Sequence, residues 1–285
     1  MTEPSPRFRS IQGVRVPAFL YGTAWKEERT RELTRTALQA GFRGIDTANQ
    51  RRHYFEAAVG QALQDELGAS VTSRDDVFLQ TKFTYLRGQD ERLPYDRNAD
   101  VATQVAQSFA SSLEHLGTTF VDSYLLHGPE TSRGLSDSDQ RVWRTLEGLH
   151  STGKTRLIGV SNVSRSQLEQ LFRFAQVKPA FVQNRCYARA GWDRDVRAFC
   201  NEHGVVYQGF SLLTANAREL RSKPVEAIQK RLGATLPQVV FRFALELGML
   251  PLTGTSSREH MHDDLSCFEL GLNPDDVKTL ERISA

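Results

Sequence analysis

The sequence predicts an α/β protein built as a single (β/α)8 barrel, the TIM-barrel architecture, on three observations. Short β-rich runs alternate with amphipathic helical runs eight times along 285 residues. Most of the β runs are continuously apolar, as strands covered on both faces must be. The glycine-rich loops that mark an open doubly wound sheet, GxGxxG or GxxxxGK[ST], are absent. The alternation fills the chain, so one domain over residues 1–285 is expected.

The strands are expected at 19–21, 44–46, 77–81, 121–126, 156–160, 181–183, 205–209 and 249–252. Between them, 27–39 carries Leu33 and Leu38 on one face, and 56–67 carries Val59 and Leu63. Residues 100–116 place Val101, Val105, Phe109 and Leu113 at steps of four, and Gly117 is a natural C-terminal stop. Ser164 with Gln167 forms a capping box that starts a helix over 166–175. Two helices, 225–232 and 236–247, are expected between Thr214 and Gly248. Asn273–Pro274 opens the last helix, with Asp275 and Asp276 in its first turn. The polar segment 83–98, with Arg87, Gly88, Pro94 and Tyr95, is a long loop of the kind that forms lids and binding loops.

Composition narrows the class without naming a chemistry. Hydrophobic residues at 39% and charged residues at 25% are ordinary for a folded domain, against disordered, collagen-like or disulfide-scaffold chains. Lys and Arg number 36 against 34 Asp and Glu, a net charge of +2, which does not advertise nucleic acid or an anionic membrane. Cys186, Cys200 and Cys267 are odd in number and form no CxxC pair. The first ten residues are polar and no long apolar stretch occurs, so neither a secretory signal nor a membrane span is expected. A cytoplasmic protein with reduced thiols follows. No apolar stripe announces an interface, so a monomer is expected.

In a barrel, chemistry sits at the C-terminal ends of the strands. Those positions hold Thr23, Ala24 and Trp25; Asp46 with Tyr54 a short loop later; Lys82; His127; Ser161 and Asn162; Gln183; Phe210 and Ser211; and Thr253 to Ser256. Singly, each has a plain explanation: a histidine or tyrosine packs, and an Asp beside a Lys forms a structural ion pair. Together, Asp46, Tyr54, Lys82 and His127 come from adjacent strands and point into one mouth. Only Asp46 and His127 would qualify as metal ligands at strand ends, which is too few. His260, His262, Asp263 and Asp264 lie on the last barrel helix and read as a solvated face, so no metal is expected. A GxSxG nucleophile elbow is absent.

Tyrosine, with an ordinary pKa of about 10, is a weak acid at neutral pH. A nearby lysine favours the phenolate and lowers that pKa, and an aspartate keeps the lysine charged and oriented. A histidine can orient a carbonyl oxygen. The set suits proton donation to a carbonyl as hydride arrives from a cofactor, with Tyr54 as the acid.

At these residues the chain resembles the aldo-keto reductase family. The matching stretches are Gly44-Ile45-Asp46-Thr47-Ala48, Leu79-Gln80-Thr81-Lys82-Phe83, Val121-Asp122-Ser123-Tyr124-Leu125-Leu126-His127-Gly128-Pro129 and, most specific, Gly153-Lys154-Thr155-Arg156-Leu157-Ile158-Gly159-Val160-Ser161-Asn162. The resemblance implies a catalytic tetrad of Asp46, Tyr54, Lys82 and His127. It implies that Ser161, Asn162 and Gln183 hold the nicotinamide carboxamide, with Phe210 stacked on the ring in a slot where relatives usually carry Tyr. The backbone at Thr23 and Ala24 would lie near the cofactor, Ser211 and Leu213 along the pyrophosphate, and Gly254, Thr255, Ser256, Arg258, His260 and Asp264 at the adenosine end.

The loop between Asp46 and Tyr54 is a few residues longer than in relatives. Counting back from Val59-Gly60 puts His53 in the tyrosine slot; Tyr54 is preferred, because a one-residue loop adjustment is easier than replacing the acid. The slots that hold cations against a 2′-phosphate carry Gly254 or Leu252 and His260 here, with Arg258 as a substitute. The resemblance implies NADPH, and because a missing cation removes a charge-assisted contact to the phosphate, NADH is left open. The substrate is a small carbonyl compound, aldehyde or ketone, in a pocket bordered by Trp25, Phe55, Phe83 and Tyr85. Two other functions suit the same scaffold: a non-catalytic nicotinamide-binding regulatory subunit, and a C=C or C=N reductase.

Overall fold

A computed structural model describes residues 6–69 and 73–284. The first five residues of the polar N-terminal segment lie outside the described residues. The chain opens with an antiparallel hairpin of β1 (Phe8–Ile11) and β2 (Val14–Pro17). Its two-residue turn, Gln12–Gly13, has positive φ at both positions (48° and 81°), the geometry that matches hairpin twist. The eight barrel strands follow: β3 (Leu20–Gly22), β4 (Gly44–Asp46), β5 (Phe78–Phe83), β6 (Val121–Leu126), β7 (Thr155–Ser161), β8 (Phe181–Arg185), β9 (Val206–Phe210) and β10 (Leu250–Thr253). All are parallel, and they close in the order β10-β3-β4-β5-β6-β7-β8-β9.

The helices are α1 (Thr30–Ala40), α2 (Glu56–Gly68), α3 (Val101–Leu116), α4 (Asp137–Ser151), α5 (Arg165–Phe174), α6 (Arg194–Glu202), α7 (Lys223–Leu232), α8 (Leu236–Glu246), α9 (Arg258–Leu265) and α10 (Pro274–Glu281). The expected punctuation is present. Asp100 caps α3 by accepting from the amides of Ala102 and Thr103, and Gly117 ends it at φ 63°. Ser164 and Gln167 form the box at the start of α5, and Asn273 caps α10.

Departures have identifiable causes. Six of the barrel strands run further toward their C-termini than hydropathy suggests, because Gly22, Lys82, Ser161, Arg185, Phe210 and Thr253 continue the ladders at the mouth. The expected helix over 27–39 begins instead as a 3-10 turn, Glu27–Arg29, with Glu27 at φ 47°. The N-terminal hairpin was not legible as an element. Its Ile11 and Val16 pack with Leu20, Phe78, Leu125, Leu157 and Phe181, so it plugs the floor of the barrel. A second, larger core lies between barrel and helices, joining Leu33, Val59, Phe109, Trp143 and Phe241. Where α2 crosses α3, a Cβ on Gly60 would lie 1.9 Å from the carbonyl oxygen of His115, so only glycine permits the approach. With the floor closed, the strand C-termini are the open end. Among the described residues, no helix is long and apolar enough to cross a membrane.

Candidate active site

A cavity of about 470 Å³ opens at the C-terminal ends of the strands. In its inner corner four residues meet. Asp46 ends β4 and Lys82 is the penultimate residue of β5, so strand pairing sets them beside each other. The Lys82 ammonium donates to both carboxylate oxygens of Asp46 and to the carbonyl of Thr47, each at 2.7 Å. Both side chains are buried. Tyr54 follows from the loop after β4, with Lys82 Nζ 5.5 Å from its ring centre. His127 follows β6, its ring centre 5.9 Å from that of Tyr54.

A layer of three glutamines supports this corner from inside the barrel. Gln80 and Gln183 donate to Asp46 Oδ1 at 2.7 and 3.0 Å, and both donate to Gln208 Oε1. Gln208 returns a bond to Gln80 at 3.0 Å. Gln80 and Gln208 were missed in the sequence. Their signal was available, since each stands two residues before a mouth residue, Lys82 or Phe210, and so shares its face of the strand.

The electrostatics follow from burial. Desolvation, with Lys82 and His53 adding to it, pushes His127 down to about 3, so its imidazole is neutral. Burial lowers Lys82, an effect opposed by Asp46. Tyr54 moves opposite to the sequence expectation: burial, then the Asp46 charge, raises its pKa. Burial is the larger cause. The three ammonium hydrogens of Lys82 are meanwhile taken up by three acceptors in Asp46 and Thr47. The corner thus presents a protonated phenol and a neutral imidazole, both suited to meeting an oxygen that gains negative charge.

The two candidates for the tyrosine slot differ in position. His53 packs against Trp25, their tilted rings 3.9 Å apart between centres, while Tyr54 lines the cavity beside His127. The rest of the rim falls into groups. Ser161, Asn162 and Gln183 line the cavity; Ser161 donates to the Gln183 carbonyl, and Asn162 at φ 52° donates to the His127 carbonyl. Phe210, Ser211 (φ 57°) and Leu213 continue the wall, and Ala24, Gly254, Thr255, His260 and Asp264 complete it. Asp264 is buried, accepts from Thr253 Oγ1 at 2.7 Å, and is pushed up to about 6 by desolvation. Lys26, not singled out in the sequence, also lines the cavity and donates to the Gly254 carbonyl.

Several expected residues lie elsewhere. Thr23 is fully buried and clamps the backbone carbonyl of Asp46 with its amide and hydroxyl, both at 3.0 Å. Ser256 and Arg258 are exposed outside the cavity lining. Of the four residues expected to border a substrate, only Trp25 lines this cavity, and it is 68% exposed. Phe83 ends β5 facing the helix layer, and Tyr85 is buried with its hydroxyl on Asp139 at 2.8 Å. Phe55 caps α2 under the Arg51 guanidinium and lines a second cavity, of about 350 Å³. Alternation after Lys82 sends Phe83 and Tyr85 to the outer face of the barrel. Among the described residues, no group of three His, Cys, Asp or Glu side chains is placed to hold a metal ion.

The family model described as "Aldo/keto reductase family" matches residues 19–285. Among similar proteins is an aldo-keto reductase from Mycolicibacterium vanbaalenii, 32% identical over 86% of this chain and 80% of its own. A glyoxal reductase from Bacillus subtilis is 26% identical over 95% of this chain and 90% of its own. A crystal structure of an aldo/keto reductase from Brucella melitensis superposes with a TM-score of 0.82, at 25% identity, covering 98% of this chain and all of that one.

Proposed function

Because this chain belongs to the aldo/keto reductase family of oxidoreductases, we propose that it reduces an aldehyde or ketone to an alcohol with NADPH or NADH. The observation that carries this is the meeting of Asp46, Lys82, Tyr54 and His127 in one corner of the cavity. The cavity lining fits a nicotinamide dinucleotide. It offers an aromatic face at Phe210 and amides at Asn162 and Gln183 near the corner, and it extends to α9, a chain of polar contacts suited to a long polar ligand. A bound nicotinamide supplies the hydride. Ser161, Asn162 and Gln183 hold its carboxamide in this reading, and Ser211 and Leu213 follow the pyrophosphate.

The chain's own residues handle the oxygen and its proton. His127, neutral, orients the carbonyl oxygen by hydrogen bonding. Tyr54 gives its phenolic proton to that oxygen as negative charge develops. Its raised pKa keeps it protonated at neutral pH until an alkoxide-like oxygen forms, which is a far stronger base. Lys82 and Asp46 hold the corner in place. Trp25 offers an apolar face over the entrance, which suits an apolar or aromatic carbonyl. The glyoxal reductase relative supports carbonyl reduction as the reaction.

At the adenosine end, Asp264 and His260 line the cavity while Arg258 stands outside it. NADPH is the cofactor proposed; this lining also admits NADH, since among the described residues no arginine lines the cavity. The test is direct. NADPH and NADH binding are followed by fluorescence quenching, and turnover by loss of absorbance with a panel of carbonyls. Tyr54→Phe is expected to lower kcat by about 10²- to 10⁴-fold at unchanged cofactor affinity, whereas His53→Ala retains turnover. Full activity in Tyr54→Phe would overturn the assigned acid. Tight cofactor binding without turnover of any carbonyl would favour a regulatory subunit.

A further inference from the structure

We propose that Thr84 is a positioning residue whose hydroxyl donates to Nδ1 of His127, holding the imidazole in the tautomer that presents Nε2–H to the cavity. The proposal rests on the carbonyl-reductase reading and deepens it. Thr84 Oγ1 and His127 Nδ1 are 2.7 Å apart. Strand register brings them together. Phe83 pairs with Leu126 at the ends of β5 and β6, and the His127 amide donates to the Phe83 carbonyl at 2.9 Å. The next residues on the two strands therefore leave the barrel side by side.

The direction of the bond follows from counting hydrogens. Burial keeps the ring neutral, with one N–H and one lone pair, and the hydroxyl has one hydrogen. If Nδ1–H donated to Thr84, the hydroxyl hydrogen would need another acceptor. Among the described residues Oγ1 has no other partner, and Thr84 is only 6% exposed. The arrangement that leaves no buried hydroxyl hydrogen unmet at this contact has Thr84 donating and Nδ1 accepting. Nε2 then carries the proton, on a ring that lines the cavity. A carbonyl oxygen would accept from that N–H; the other tautomer would present it with a lone pair.

The segment 83–98 braces this arrangement. The Tyr95 hydroxyl donates to the Thr84 carbonyl at 2.8 Å, and Gln89 Nε2 donates to it at 3.3 Å. Gly88 backs the threonine methyl: a Cβ there would come within 2.7 Å of Thr84 Cγ2. The loop thus fixes the rotamer that aims Oγ1 at the imidazole.

Two-bond ¹H–¹⁵N spectra of the histidine rings, recorded at neutral pH without substrate or cofactor, test the proposal. The His127 signals are assigned by their loss in His127→Asn. The expected result is an Nε2–H tautomer in the native protein and in Thr84→Ser, and a mixed population in Thr84→Val. With cofactor added, Thr84→Val is expected to lose about 10- to 100-fold in carbonyl turnover at unchanged cofactor affinity, and Thr84→Ser to restore most of it. An Nδ1–H tautomer in the native protein would overturn the proposal. So would a native tautomer and native turnover in Thr84→Val. If Thr84→Val does not fold, the native spectrum and Thr84→Ser still decide. A tautomer that responds to Thr84→Val in a protein that reduces no carbonyl supports the positioning role and sinks the reductase reading instead.

Discussion

Lys82 and Asp46 form a buried ion pair at 2.7 Å, with side chains 0% and 4% exposed. Removing one partner leaves an uncompensated charge in the barrel. Asp46→Ala or Lys82→Met is expected to cost about 3–5 kcal/mol of stability, and Asp46→Leu with Lys82→Met together much less. Urea denaturation of the three variants checks this. Additive losses in the double variant would show that the pair does not act as a unit.

His127 links stability to acid. The unfolded histidine takes a proton near 6.5, the folded one only near about 3. Between those values the unfolded chain binds more protons, so stability falls as pH drops from 6.5 toward 3, by up to about 1.4 kcal/mol per pH unit. Above 6.5 this contribution is flat. His127→Asn is expected to remove that slope. Denaturation midpoints of both proteins between pH 7 and 4 provide the measurement, and parallel curves would count against it.

Asp264 places a carboxylate in the wall of the cavity and, with its pKa pushed up to about 6, is mostly charged at neutral pH. A dinucleotide phosphate nearby would be repelled. Asp264→Asn, which keeps an acceptor for Thr253, is expected to lower the Kd of NADPH by about 3- to 10-fold. Fluorescence titration checks it, and a weaker Kd would indicate that the carboxylate instead accepts a bond from the cofactor.

Trp25 is 68% exposed over the entrance, so its loss should change binding more than folding. Trp25→Ala is expected to raise KM for aromatic carbonyls by about 2- to 10-fold, with thermal stability nearly unchanged. An unaltered KM across aromatic and aliphatic substrates would exclude this ring from the substrate site.

The site was only partly legible in the sequence. Asp46, Lys82 and His127 could be read because strand ends are recognisable and a barrel gathers them on one rim. Gln80 and Gln208 were passed over because amides inside a continuous apolar run look like strand filler. Phe83 and Tyr85 were assigned to the pocket on aromatic character, although the alternation after Lys82 points them outward. Thr84, between them, carries the inward position and meets His127.

By itself, the sequence determined the barrel, since alternating apolar strands and punctuated helices leave few other ways to bury those faces. It also determined which strand ends carry ionisable groups. Only the tertiary structure put Tyr54 in the cavity wall, because a loop's length does not say which residue turns inward; His53 packs against Trp25 and Tyr54 faces the cavity. It likewise decided the direction of the tyrosine's pKa. Proximity of a lysine suggests a lowered value, but burial of the phenol, and then the charge of Asp46, raises it.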